Sequence, residues 1–337
     1  MNKFYVKTNS ELRALIISTA NTKRIPNAVV EKDYWVSFLL DYIFSESKWS
    51  NSFTFKGGTS LSKCFNLIER FSEDIDLILD WKLFGYESNE LYIERTKKGQ
   101  SKFNNELNEK VMVFLKDQLL KELNEKLKEY NLEFSIDPED PNSILCDYPK
   151  IFQSDYLSKK IKLEIGCLGK WTPAEDVKIK PLISEVYPDV FKQSAIIRTI
   201  SPERTFWEKT LILHSVCNKS EEKPLNTRYA RHYYDLYCLY NSVYKTKALD
   251  DINLLLDATQ FKKKFYWSKS ANYDDVLENK NLKLIPDDFR IEQVKKDYVD
   301  MKNMFYGHIP SIEQIFETLK RLEVEINDKL KQIKNLQ

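Results

Sequence analysis

The sequence holds only seven glycines in 337 residues and no serine-rich stretch, which argues against a long flexible linker. It has no run of about 20 apolar residues, so no membrane span is expected. Cys64, Cys146, Cys167, Cys217 and Cys238 stand far apart, with no Cys-x-x-Cys and no zinc spacing. Reduced, mostly buried thiols in a cytoplasmic protein are the expectation. The stretch Met1–Tyr5 lacks the apolar core of a signal peptide. No charge of one sign dominates: 52 basic and 51 acidic residues leave a net charge of +1. The basic footprint of a dedicated nucleic-acid binder is therefore missing. A local patch would still serve, because folded RNA is recognised by shape and at single-stranded ends. What remains is 42% hydrophobic and 13% aromatic, enough for two packed subdomains and a sizeable core. Mean hydropathy of −0.51 and 31% charge point to solubility.

Chemistry concentrates in Phe55-Lys56-Gly57-Gly58-Thr59-Ser60, followed by Ser72-Glu73-Asp74-Ile75-Asp76-Leu77. The pattern reads as strand, glycine turn, short helix, then a strand carrying Asp-x-Asp. Gly57 and Gly58 permit a tight turn and a close approach of backbone to ligand. The helix that follows directs its first amides at the same place, which favours phosphate. Asp74 and Asp76 alternate with Ile75, Leu77 and Leu79, so both carboxylates share one strand face, about 6.6 Å apart. Two carboxylates beside a phosphate cradle suit Mg2+ and a triphosphate. Each half alone is an ordinary turn or a solvated strand face. The segment is not a Walker P-loop, since Ser62 precedes Lys63 where that motif needs glycine.

Helices are expected over 9–21 and 27–47, with Ser10 and Asn27 as N-caps. A long amphipathic helix or helix pair is expected over 88–130, from the spacing of Leu107, Val111, Leu119, Leu123 and Leu127. Strands are expected at 131–136, 144–148 and 159–167. From residue 200 the pattern turns helical: 203–218, 228–243, 247–256, 291–305 and 310–334, with 258–288 less regular. Pro173, Pro181, Pro188 and Pro202 mark a border. The expected fold class is mixed α+β. Residues 1–180 form a domain with N-terminal helices and the inserted helix at 88–130. Residues 181–337 form a mainly helical domain that completes the active site.

Other groups weigh less. Glu164 is either a third acid beside the Asp-x-Asp strand or half of a solvated Lys162–Glu164 face. Lys209 lies near the buried side of a helix begun by Ser201-Pro202, where it needs a phosphate or a structural carboxylate. Asp235 sits at i+4 from Arg231, so its plain role is an ion pair with that arginine. Its functional role is to orient Lys209, an arginine or the nucleophile. His214, His232 and His308 read as packed or hydrogen-bonded histidines, although His232 could also transfer a proton. Glu31, Lys32 and Asp33 read as domain contacts, and Lys262–Lys264 as a solvated charge run.

The residues Phe55–Leu61, Arg70–Leu77, Trp207-Glu208-Lys209 and Arg231–Leu236 together resemble the nucleotidyltransferase toxins of the AbiEii/AbiGii type, which include the mycobacterial MenT toxins. Val30–Trp35 and Met304–Gly307 extend the likeness to residues 25–325. The resemblance implies a polymerase-β-like nucleotidyltransferase fold with an added C-terminal helical domain. It implies a toxin of a toxin–antitoxin or abortive-infection phage-defence pair, with an antitoxin that is often a winged-helix protein. The implied activity is transfer of nucleotides from an NTP to the 3′ end of tRNA, which stops translation. The implied catalytic set is Asp74, Asp76, Lys209 and Asp235. Lys56, Gly57, Gly58, Thr59, Ser60 and Arg231 would bind the nucleotide. Asp74, Asp76 and Glu164 would hold Mg2+. Three departures stand out: a long interval from Thr59 to Asp74, the 88–130 insertion, suited to partner contacts, and glutamate at 164 where aspartate is expected. Outside the resemblance the residues leave other functions open: a nucleotide-binding regulator, an enzyme that nucleotidylates protein, or a helical interaction protein.

Overall fold

The computed structural model describes residues 2–154 and 157–334. The chain divides into two compact units, Met1–Phe65 with Phe71–Ile200, and Asn66–Arg70 with Ser201–Gln337.

The first unit is built on one seven-stranded mixed sheet. In chain order its strands are β1 (Phe53–Lys56), β2 (Ile75–Leu79), β3 (Glu133–Ile136), β4 (Ser143–Asp147), β5 (Ile161–Gly166), β6 (Ala174–Ile179) and β7 (Ala195–Ile200). Their spatial order is β3-β4-β5-β2-β1-β7-β6. The strand carrying Asp76 is therefore central. It pairs antiparallel with β1 and parallel with β5, while β1 pairs parallel with β7. On β5 the alternation is complete: Ile161, Leu163 and Ile165 are buried, while Lys162 and Glu164 face outward. The sequence reading contains neither β6 nor β7. β6 buries only its last residue, so it lacks the two-residue apolar period that marks a strand.

Among the described residues six α-helices accompany the sheet: α1 (Asn9–Lys23), α2 (Asn27–Asp41), α3 (Gly57–Lys63), α4 (Lys97–Phe114), α5 (Leu120–Lys126) and α6 (Ile183–Val186). Thr8, not Ser10, caps α1, accepting the Glu11 amide, and Pro26 rather than Asn27 precedes α2. The regular helix expected to 47 stops at Asp41 and continues as a π-helical turn, Tyr42–Glu46. A second π-helical turn, Leu115–Leu119, joins α4 to α5. The inserted helix thus exists, but shorter at its start and wound differently in its middle.

Nearly every residue of α2 is buried, including Glu31 and Lys32. Their charges are all met within the unit. Glu31 accepts the amides of Ile151 (2.6 Å) and Phe152 (3.0 Å). Asp33 pairs with Lys63 (2.5 Å) and accepts the Leu182 amide (2.6 Å). Lys32 pairs with Glu73, one residue before Asp74, and Glu73 also accepts the Ser158 amide (2.9 Å). Buried charges need such partners, and here they fix the approach to β2.

The second unit is helical: α7 (Pro202–Cys217), α8 (Arg231–Tyr240), α9 (Tyr244–Asp250), α10 (Ile252–Phe265), α11 (Tyr273–Leu277), α12 (Asp288–Asp300) and α13 (Ile312–Lys334). The expected helix over 247–256 is two helices, and the second runs nine residues further. Inside it the Thr259 hydroxyl donates to the Leu255 carbonyl (2.7 Å), and Phe261 stacks on Phe265 beyond. The short segment Asn66–Arg70 belongs here. The Glu69 amide donates to Tyr234 Oη (3.1 Å), and Arg70 bridges to Phe305.

Candidate active site

In the first unit the glycine turn meets the central acid directly. Gly57 has φ +83°, a conformation that side chains rarely adopt. A Cβ placed on it would overlap the Asp76 carboxylate, with Asp76 Cγ only 2.6 Å away. Lys56 and Asp76 are register partners across β1 and β2, and Asp76 and Glu164 are partners across β2 and β5. Lys56, Asp76 and Glu164 thus lie side by side on three neighbouring strands. Burial pushes the half-buried Asp76 carboxyl up to about 7; Glu164 and Asp74 add to the rise and the Lys56 ammonium opposes it. Glu164 and Asp74 thus disfavour a charge on Asp76, a repulsion that a divalent cation would relieve.

The Thr59 hydroxyl donates to the Asp74 carbonyl (2.5 Å) and the Ser60 hydroxyl to the Gly57 carbonyl (2.9 Å). Both side chains are buried. They tie α3 to the start of β2 and close the turn, so the groups of this segment left for a ligand are backbone ones. Glu164 is drawn partly toward Lys162 (3.4 Å), which also pairs with Asp137 and Asp140. Among the described residues no three His, Cys, Asp or Glu side chains are grouped to hold a metal ion. Mg2+ rarely uses such a cage. It takes one or two carboxylates and completes its shell with substrate phosphates and water. Asp74 and Asp76 fit that mode.

In the second unit α7 and α8 bury a charged cluster. Asp235, fully buried, accepts from Arg70 Nε (2.6 Å) and Arg70 Nη2 (2.8 Å) and pairs with Lys209 Nζ (2.6 Å). Although burial works against its charge, Arg70 and Lys209 hold the Asp235 carboxyl well below the usual carboxylate range. Burial lowers the Lys209 pKa, Asp235 opposes that, and Arg70 adds to it. Burial, then the charges of Lys209 and Arg231, push His232 well below its ordinary value. The imidazole is neutral, and Nδ1 lies 3.4 Å from Lys209 Nζ. An ammonium can only donate, so Nδ1 accepts and the ring proton sits on Nε2. His214 is hydrogen-bonded through both nitrogens, to the Lys283 amide (3.0 Å) and the Asn272 carbonyl (3.2 Å).

The proposed site residues therefore fall into two sets. Lys56, Gly57, Gly58, Thr59, Ser60, Asp74, Asp76 and Glu164 stand on β1, α3, β2 and β5 or at their ends, and Lys209, Arg231 and Asp235 on α7 and α8. Asp235 pairs with Lys209 and Arg70 rather than with Arg231 as helix spacing suggests. Arg70 is the residue that sequence reasoning missed.

A family model described as "Nucleotidyl transferase AbiEii toxin, Type IV TA system" matches residues 38–320. The chain belongs to this family. It is a nucleotidyltransferase of a toxin–antitoxin family, which uses an NTP and implies an antitoxin partner. The mixed sheet with a helical C-terminal unit agrees with the expected fold class. Among solved structures the enzyme is similar to MenT4, a nucleotidyltransferase toxin from Mycobacterium tuberculosis H37Rv, at 16% identity and a TM-score of 0.41 over 95% of this chain and 98% of that one. A comparison with curated proteins finds no match. No helix among the described residues is long and apolar enough to cross a membrane.

Proposed function

We propose that the enzyme is a Mg2+-dependent toxin of an abortive-infection system, acting in the cytoplasm, that transfers a nucleotide from an NTP to the 3′ end of tRNA and so blocks translation. Its activity would be restrained by a cognate antitoxin, in the family often a winged-helix protein. The observation that supports this reading best is the seating of the Asp76 carboxylate against the side-chain-free face of Gly57.

Phosphoryl transfer asks a protein for positioning and charge compensation rather than covalent chemistry. At Gly57 the absent side chain makes room for the Asp76 carboxylate, and Lys56 adds positive charge beside it. With the Thr59 and Ser60 hydroxyls committed internally, phosphate contact in this turn falls to the amides of residues 57–60. Asp74 and Asp76 are the residues that would hold Mg2+, whose charge would offset the phosphate oxygens and the departing pyrophosphate. Glu164, in register with Asp76, is the further acid available to that ion. Arg70 and Lys209 both pair with Asp235, and Lys209 is the group that would meet the nucleotide phosphates. Held ionised, Asp235 is a poor proton acceptor. Its task is to aim Lys209, with Arg231 as a neighbouring positive charge.

Incubating the protein with total RNA, Mg2+ and each labelled NTP in turn tests the reading. Label on tRNA is expected. Label on polypeptide would favour protein nucleotidylation, and nucleotide binding with no incorporation would favour a regulator.

A further inference from the structure

Lys209 is held by more than its carboxylate. His232 lies three residues before Asp235, so the two side chains share one face of α8. Lys209 meets both from α7, with Nζ 2.6 Å from Asp235 Oδ2 and 3.4 Å from His232 Nδ1. All three residues are buried. Each anchor is itself held. Arg70 donates to both oxygens of Asp235. The His232 ring stands edge-to-face with Tyr229 at 4.8 Å, and the His232 amide donates to the Tyr229 carbonyl (3.0 Å).

A lysine ammonium carries three N–H donors on a flexible stem. One anchor leaves it free to turn about that contact. Two anchors on one helix face, together with the bond to Cε, fix where the third N–H points. Among the described residues no acceptor takes that third donor. The imidazole can serve only while neutral, because a protonated ring would present its own N–H to the ammonium. Burial and the charges of Lys209 and Arg231 keep it so. With Nδ1 engaged by Lys209, that nitrogen is not available to a substrate proton.

We propose that His232 is a positioning residue for nucleotidyl transfer: its Nδ1 and the Asp235 carboxylate clamp two N–H groups of Lys209, so that the third is aimed at a phosphate of the bound NTP. The inference rests on the role given above to Lys209. An ammonium oriented in advance loses less freedom when the nucleotide arrives, which strengthens binding without any added contact. His232 acts through Lys209 and need not touch the substrate.

Two substitutions separate positioning from packing. His232→Asn gives up ring volume but keeps an acceptor oxygen on Cγ, the carbon that bears Nδ1. His232→Leu keeps apolar bulk and gives up the acceptor. On the full chain, calorimetric titration with each of the four NTPs and Mg2+ reads affinity, and incorporation of labelled NTP into total RNA reads transfer, after melts show that each variant is folded. Affinity for the best-bound NTP should fall about tenfold in His232→Leu and be largely regained in His232→Asn, with transfer following the same order. A packing role predicts the reverse order. Should His232→Leu not fold, His232→Phe, which keeps a ring against Tyr229 and has no acceptor, takes its place. NTP affinities in this order without labelled RNA would sink the transfer reading and leave the clamp standing. Labelled RNA with equal NTP affinity in the wild type and the folded acceptor-free variant would overturn the clamp alone.

Discussion

Replacing Gly57 by alanine separates backbone strain from damage to the acid it touches. At φ +83° an alanine carries a conformational cost of about 1–2 kcal/mol. Its methyl would also lie 2.6 Å from Asp76 Cγ, and nearer still to Asp76 Oδ2, where ordinary contact begins at 3.4 Å, so the carboxylate must retreat by at least 0.8 Å. A misplacement near 1 Å at a reacting centre costs on the order of 100-fold in rate. Gly85 provides the control: its φ is +78°, yet a Cβ there meets nothing within 4 Å. Gly85→Ala should lose the same ~1–2 kcal/mol of stability and keep its transfer rate. Gly57→Ala should lose at least as much stability and about 100-fold in transfer. Urea denaturation reads the first quantity and incorporation of labelled NTP the second. A folded Gly57→Ala enzyme as active as Gly85→Ala would refute the contact between turn and acid.

Truncating Arg70 to alanine leaves Asp235 buried with one partner fewer, and denaturant melts should show a loss of about 3–5 kcal/mol; Arg70→Lys, which cannot make the two-pronged contact, should recover only part. Lys32→Met should cost a similar amount by stranding Glu73, whereas Lys32→Met with Glu73→Leu should regain much of it; equal losses in the single and double variants would contradict a coupled buried pair. His232 and His214 both have lowered folded pKa values, so above about 6.5 they are neutral in both states and stability is unaffected. Below that pH the unfolded chain takes up protons that the folded one refuses, and stability should fall by up to ~1.4 kcal/mol per pH unit for each histidine. The Asp76 carboxyl, raised to about 7, works the other way, because the folded chain binds a proton there over the same interval. Denaturation of wild type and His232→Asn at pH 7.5 and 5.5 isolates the histidine, whose removal should lift the variant's stability change on acidification by up to ~1.4 kcal/mol per pH unit below 6.5.

Local patterns were legible and distant pairings were not. The diglycine turn and the alternation through Leu79 announce strand, turn and strand within 27 residues, and the structure keeps that order. Lys209 was readable as needing a buried partner because lysine on an inner helix face has few alternatives. Its partner Asp235 offered a nearer companion, Arg231, by helix spacing. The real second companion, Arg70, lies 165 residues away, a pairing that no periodicity encodes. Likewise β6 is poor in apolar residues and β7 sits among prolines, so the region looked like a border rather than the edge of a sheet. Thr8 caps α1 because its hydroxyl meets the Glu11 amide three residues on, whereas Ser10 lies inside the helix and its hydroxyl donates to Thr8 Oγ1 (3.3 Å).

The measurement closest to the central claim compares the wild-type chain with Asp76→Asn, a substitution that keeps size and removes charge. Both proteins are mixed with total RNA, Mg2+ and labelled NTP, after matching melts establish that the variant is folded. The account predicts labelled RNA with the wild type and none above background with the variant. Equal labelling by the folded Asp76→Asn protein would contradict it.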